Sequence, residues 1–316
     1  MVFKTHDVIR YNYAYDARAG GPGQLQLWGI LGKIADVRFV DDAFPVPAPV
    51  PAPDLNSATA YYGRKSLPGL IEMLRNRRRV SVTIDDQGPV SIRNTFGLAD
   101  SLVVCAGCAS DLLAAKTQGI QDAMRRLVAF CGVDAPPEIC PITFHLSADG
   151  ACGAYQPGVT TGAFGLDPAG LGTICLYDVE KQHRALPFTV ANASTRQDQL
   201  LPVHEAMHGW FVGRQSNYRV QEPFCKLASF FISEVAPFPD LCSFFATTPD
   251  THPDALMKYL CRMGMTATLA SQVLALLARK AEELGRALSD DEFAAVVSAV
   301  FGQDAVPAFR SAGILP

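Results

Sequence analysis

The segment Leu201-Pro-Val-His204-Glu205-Ala-Met-His208-Gly-Trp-Phe-Val-Gly-Arg214 constrains this chain more than any other. On a helix, residues four apart stand one above the other on the same face. His204 and His208 then offer two imidazole nitrogens to one metal ion, while Glu205 sits one step round the helix without taking a ligand position. With six His and nine Glu in the chain, this spacing arises by chance about 0.003 times, so it carries information. The alternative is an accidental pair on an ordinary amphipathic helix. Pro202 must lie near the helix start, since further in it would kink the helix.

Two His leave such a site open, so a third ligand is required. No His follows at the spacing of the longer zinc motifs, and the next one is His252. The next carboxylate is Glu222, 14 residues after His208, in Tyr218-Arg-Val-Gln-Glu222-Pro-Phe-Cys-Lys. That stretch reads as a turn entering a second helix, with Pro223 suited to its first position. Two packed helices of this kind make a His₂Glu site with a fourth position for water. Glu222 is favoured because it stands at a helix start close to the first helix. Glu234, 12 residues further along, is the competing ligand.

His204-Glu-Ala-Met-His208-Gly-Trp, followed by Asn217-Tyr-Arg and by Val220-Gln-Glu222-Pro-Phe-Cys225, resembles the active-site region of gluzincin metallopeptidases. The likeness is greatest to the ubiquitin-activated peptidases that control plant organ size, whose motif runs H-E-M-M-H-A, then G-Y-R, then E-E-G-I-C. It extends from Leu200 to Ile232. Two departures stand out: the interval between His208 and Glu222 is about three residues shorter, and Pro223 replaces the Gly after the Glu. No ubiquitin-binding or zinc-ribbon module of the plant type is visible.

The resemblance implies a thermolysin-like zincin domain, with Zn²⁺ held by His204, His208 and Glu222 and with Glu205 as general base. Zinc lowers the pKa of bound water to about 7 and polarises the scissile carbonyl. Glu205 takes the water proton and returns it to the leaving amine. The developing oxyanion needs a further donor, usually a Tyr or His. Tyr218 is the first candidate because it lies between the ligands. Tyr259 is the second, since aminopeptidase-N-like gluzincins place a catalytic Tyr downstream; either residue can equally be a packed core tyrosine. Gly172-Thr-Ile-Cys-Leu-Tyr177 is expected as an edge strand that pairs with an extended peptide, or else as an ordinary core strand.

Around this segment the chain is organised as an α+β protein, with short strands before a helical region. Residues 1–135 are expected as an N-terminal α/β domain of unknown role, and residues 136–316 as the metallopeptidase domain. In the first part, Ser66 to Arg78 reads as a helix, Val80 to Ile84 as a strand and Pro89 to Arg93 as its hairpin partner. Pro45-Val-Pro-Ala-Pro-Val-Pro-Ala-Pro53 is extended polyproline II, a surface excursion rather than a linker. Ser110 opens a helix whose apolar positions Ile120, Met124, Leu127, Val128 and Cys131 recur at helical spacing, and Gly132 closes it. Val133 to Pro137 is the expected boundary. Beyond it, 142–146, 153–155, 162–164 and 173–177 read as strands. Helices follow at 200–213, 223–235, 253–286 and 290–301, the last opened by the capping box Ser289-x-x-Glu292.

Composition bounds the rest. The chain is 49% hydrophobic and 18% charged with net charge −4, which excludes intrinsic disorder and disfavours a dedicated nucleic-acid binder. No apolar run reaches the roughly 20 residues of a membrane-spanning helix. The first residues show no basic region followed by an apolar stretch, so a cytoplasmic location with nine reduced thiols is expected. Cys105-x-x-Cys108 reads as buried thiols, His145 and His183 as structural, and Trp210 as packing the active-site helix. Arg75 to Arg79, with Arg64 and Lys65 nearby, reads as a solvated helix end.

The expected function is a cytoplasmic zinc peptidase acting within chains, of narrow specificity, on a peptide or protein substrate. Gating by the N-terminal domain or by a regulatory partner is expected of it. The alternative is an inactive zincin-fold protein that binds protein or nucleic acid through its N-terminal domain and its arginines.

Overall fold

Parallel strand pairing decides how the chain divides. In the computed structural model, which describes residues 3–14, 23–43, 45, 47, 55–75, 79–85, 90–94, 96–105, 109–146, 162–167, 169–176 and 199–316, there are two units, Met1–Phe96 and Gly97–Pro316. Both helix and sheet are present, and the helices gather towards the C-terminus.

The first unit holds β1 (Phe3–Asp7), β2 (Arg10–Ala14), β3 (Gln24–Gly29), β4 (Gly32–Val40), β5 (Ala58–Gly63), α1 (Leu67–Arg75), β6 (Val80–Asp85) and β7 (Val90–Asn94). One sheet has the order β1-β6-β7 and the other β2-β3-β4-β5. Alternation in β3 buries Leu25 and Leu27, which join Val37, Phe39, Val82, Ile84 and Leu70 in one core. β4 and β5 are parallel neighbours, and a parallel pair needs a crossover of a dozen or more residues. The proline-rich stretch lies in that connection; apart from Pro45 and Pro47 it is outside the described residues.

The expected solvated arginine cluster is corrected at one position. Arg79 is buried and paired with Asp7, donating from Nε at 2.9 Å and also from Nη2. Arg77 and Arg78 lie outside the described residues.

The second unit begins with β8 (Leu102–Cys105), α2 (Ser110–Cys131), β9 (Thr143–Leu146), β10 (Gly162–Leu166) and β11 (Gly172–Leu176). These strands form a sheet of order β10-β11-β9-β8. β8 runs parallel to β9 with α2 as the crossover between them. A boundary at 135/136 would separate these paired strands, so the expected division moves to Phe96/Gly97. The apolar face of α2 confirms the assignment, because Ile120, Met124, Leu127 and Cys131 pack in the same core as Phe144, Trp210 and Phe224. Gly132 ends α2 at φ 74, donating its N–H to the Val128 carbonyl. The strand expected at 153–155 and His183 lie outside the described residues.

Helices complete this unit: α3 (Leu200–Phe211), α4 (Tyr218–Ile232), α5 (Phe238–Ala246), α6 (Ala255–Arg262), α7 (Ala267–Leu284), α8 (Asp290–Phe301) and α9 (Val306–Ser311). The single helix expected over 253–286 is broken into α6 and α7 at Gly264, whose φ is 91. α5 and α9 were not legible in the sequence pattern.

The cysteines depart from expectation. Cys242 on α5 and Cys261 on α6 form a disulfide with Cα atoms 5.4 Å apart. Cys105 and Cys175 are each disulfide-bonded too, to partners outside the described residues. Among the described residues Cys131, Cys140 and Cys225 carry free thiols.

Candidate metal centre

α3 is a largely buried helix, with eight of its twelve residues buried and none exposed. Pro202 falls in its first turn, where a missing N–H costs no helical bond. Trp210 is fully buried, gives its indole N–H to the Val133 carbonyl at 3.0 Å, and lies under the Arg214 guanidinium at 4.2 Å. This fixes the rotation of α3 about its axis and so the direction of His204 and His208.

α4 supplies the other wall. Asn217 caps it by accepting the Arg219 N–H at 2.9 Å. The helix therefore starts at Tyr218, and Pro223 sits inside it rather than at its first position. The proline ring removes the N–H that would reach the Arg219 carbonyl. Glu222 thus lies more than a turn into α4, facing α3.

Among the described residues, His204, His208 and Glu222 are the one group with ligand atoms all within 4.8 Å of one another. Glu222 Oε2 stands 3.4 Å from His204 Nε2 and 3.3 Å from His208 Nε2. Metal bonds of 2.0–2.1 Å at tetrahedral angles place neighbouring ligand atoms about 3.3–3.4 Å apart. Oε2 is also buried and makes no hydrogen bond of good geometry. A buried carboxylate oxygen left unpaired between two imidazoles fits a divalent cation. Glu234, the competing ligand, is exposed beyond the end of α4 and outside the group.

Charge is shared tightly here. Burial raises the Glu222 carboxyl, but the imidazoles of His204 and His208 beside it outweigh that and hold the group well below the carboxylate range. Burial lowers the His208 imidazole, yet Glu222, Glu205 and Gln221 together leave it raised. Glu205 is raised, first by burial and then by the charge of Glu222, against the pull of both imidazoles and of the Phe164 N–H.

Glu205 accepts the Phe164 backbone N–H on Oε2 at 3.1 Å. Phe164 belongs to β10, which is the edge of the sheet. β11, expected as an edge or a core strand, lies between β10 and β9, and all five of its residues are buried. A continuous buried run is what an internal strand requires. Tyr177 lies outside the described residues.

Tyr218 is half exposed and stacks on His208, with ring centroids 6.0 Å apart and planes within 8°. Its phenol is raised by desolvation, then by the charge of Glu222 and a hydrogen bond to it. Tyr259 lies elsewhere, giving its hydroxyl to Asp250 at 2.7 Å. The structure brings Tyr218 to the site and not Tyr259.

Two contacts escaped the sequence reading. Gln221 Oε1 lies 3.2 Å from His208 Nδ1, and its only sequence signal is adjacency to Glu222. The Phe164 N–H has no signal, because a backbone donor has no residue type. Cys225, already conspicuous near Glu222, brings its Sγ to 3.5 Å from the same Nδ1. No protein-family model, curated protein or solved structure matches the chain.

Proposed function

We propose that this chain is a zinc-dependent peptidase, with His204, His208 and Glu222 as metal ligands and Glu205 as general base. The observation that carries the reading is the convergence of two imidazole nitrogens and one unpaired carboxylate oxygen, with a second carboxylate directly beside them on α3. The order of edge strand, H-E-x-x-H helix and Glu-bearing helix supports a thermolysin-like, gluzincin-type organisation of the second unit.

When bound, zinc supplies Lewis-acid polarisation of a carbonyl and lowers the pKa of water. The chain's own groups do the rest. Glu205 is not needed as a ligand, and its Oε2 is tied to β10. Oε1 is the oxygen that takes a proton from the attacking water and delivers it to the leaving amine. Tyr218 keeps its phenol proton, since its pKa is raised, and donates it as a hydrogen bond to the carbonyl oxygen as charge develops there. Among the described residues β10 has no strand on its outer side, so an extended peptide can add to it as a further strand.

Cleavage of a peptide library by the zinc-loaded full chain tests this reading. The wild type is expected to cut, and Glu205→Gln to lose about 10²–10⁴-fold in rate while keeping zinc. A zinc-loaded wild type that cuts no peptide, or a Glu205→Gln variant as active as wild type, overturns it.

A further inference from the structure

His208 is engaged through both ring nitrogens. Its Nε2 faces Glu222 Oε2 at 3.3 Å, and its Nδ1 faces Gln221 Oε1 at 3.2 Å. Consecutive residues of α4 thus reach opposite sides of one imidazole.

The Gln221 amide has one donor end and one acceptor end. Its Nε2 donates to the Gln215 carbonyl at 2.5 Å, so its oxygen is the end that meets the imidazole. An acceptor at that position takes the Nδ1 proton, which His208 carries there whenever Nε2 gives its lone pair to a metal ion.

Gln215 is itself held firmly. It is buried, donates its Nε2 to Asp290 Oδ1 at 3.2 Å, and accepts the Asn217 N–H on Oε1 at 2.7 Å. Asn217 Nδ2 reaches the other Asp290 oxygen at 2.8 Å. Leu288 donates its N–H to the Arg214 carbonyl at 2.8 Å, tying the same turn to the start of α8. The carbonyl that orients Gln221 is therefore anchored on two sides.

We propose that Gln221 is a positioning residue: it accepts the Nδ1–H of His208 and so holds the ring with Nε2 presented as the ligand atom. Residues that take the outer N–H of a metal-binding His fix its tautomer and orientation, and losing one costs about 10- to 100-fold in metal affinity. Cys225 Sγ is the other neighbour of Nδ1, at 3.5 Å. Sulfur is a weak acceptor beside the strong one of an amide oxygen. The proposal rests on the metal-centre reading, because without a metal ion Glu222 Oε2 is a competing acceptor at Nε2.

The experiment uses the full chain with ¹⁵N-labelled histidine, long-range ¹H–¹⁵N spectra of the zinc-loaded protein and zinc titration against a chelator. In the zinc-loaded wild type His208 is expected to carry its proton on Nδ1, slowed in solvent exchange by the Gln221 acceptor. In Gln221→Met, which keeps the side-chain length and removes the acceptor, that proton is expected to exchange faster. Zinc affinity by chelator competition is expected to fall about 10- to 100-fold in Gln221→Met. It is expected to return to within a few-fold of wild type in Gln221→Glu, which restores an acceptor, and to stay at wild type in Cys225→Ala.

A zinc-loaded wild type whose His208 lacks a proton on Nδ1 overturns the proposal, and so does a Gln221→Met variant with unchanged Nδ1–H exchange and zinc affinity. Equal affinity losses in Gln221→Met and Gln221→Glu, tracking a fall in melting temperature, overturn it as well. A folded wild type that takes up no zinc defeats the metal-centre reading and this proposal with it, whereas zinc uptake that is indifferent to Gln221 defeats the proposal alone.

Discussion

The Phe164 backbone N–H reaches Glu205 Oε2 at 3.1 Å, across 41 positions of sequence. This bond ties the edge strand to the carboxylate beside the metal ligands, and it needs α3 and β10 to lie very close together.

Gly209 permits that approach. A Cβ there would stand 2.8 Å from Phe164 Cε2 and 3.3 Å from Ile142 Cδ1. Gly209→Ala gains up to about 1 kcal/mol of helix propensity, but overpacking a tight contact costs about 1–3 kcal/mol. The variant is expected to melt several degrees lower and to cleave more slowly, with Phe164→Leu in the same chain recovering part of both. A Gly209→Ala protein more stable than wild type would contradict this packing.

The Cys242–Cys261 bond closes a loop with a sequence separation of 19. Constraining a loop of that length in the unfolded chain is worth about 3 kcal/mol. Disulfides persist in oxidising compartments and are rare in the cytosol, so the bond bears directly on where the chain works. Cys242→Ser is expected to lower the urea midpoint under non-reducing conditions and to leave it unchanged, relative to wild type, after full reduction. Intact mass after thiol alkylation without reductant reads the bond itself; both cysteines alkylated would exclude it.

Acid stability follows from the α8 capping box. Ser289 Oγ accepts the Glu292 N–H at 3.3 Å, and Glu292 accepts the Ser289 N–H at 2.8 Å. The Arg286 guanidinium, bidentate on Glu292, is the largest cause holding that carboxyl at about 2, followed by the Ser289 N–H. The folded value lies below the unfolded carboxylate value of about 4.3. Its contribution is therefore complete above the unfolded value and lost as pH falls towards the folded one. The group is exposed, so the contribution is small and screened by salt. Denaturation midpoints of wild type and Glu292→Gln should differ at pH 6 and converge as pH falls from about 4.5 towards 2. A gap independent of pH would mean the charge plays no part.

How much of this was legible depends on distance along the chain. His204, Glu205 and His208 share one helical turn, and Glu222 stands close behind them, so local spacing was enough. The same holds for α2 with its Gly132 stop and for the box at Ser289. The domain boundary was misplaced because β8 and β9 pair across α2, a contact with no local signature. Gly172 to Tyr177 suits an edge or a core strand equally in sequence, and only the pairing of Gly172–Leu176 on both sides decides for the core. The Cys242–Cys261 pairing depends on how α5 and α6 meet, which spacing alone does not reveal. Pro223 was placed at a helix start because Asn217, the cap in use, lies six residues earlier.

The central claim is that His204, His208 and Glu222 hold one zinc ion. Zinc content per chain, measured by elemental analysis after reconstitution and removal of excess metal, tests it most directly. The account predicts one zinc per wild-type chain, lost in His204→Ala and in Glu222→Ala and retained in Glu234→Ala. A folded wild type that retains no zinc, or a Glu222→Ala variant that retains it fully, would contradict the account.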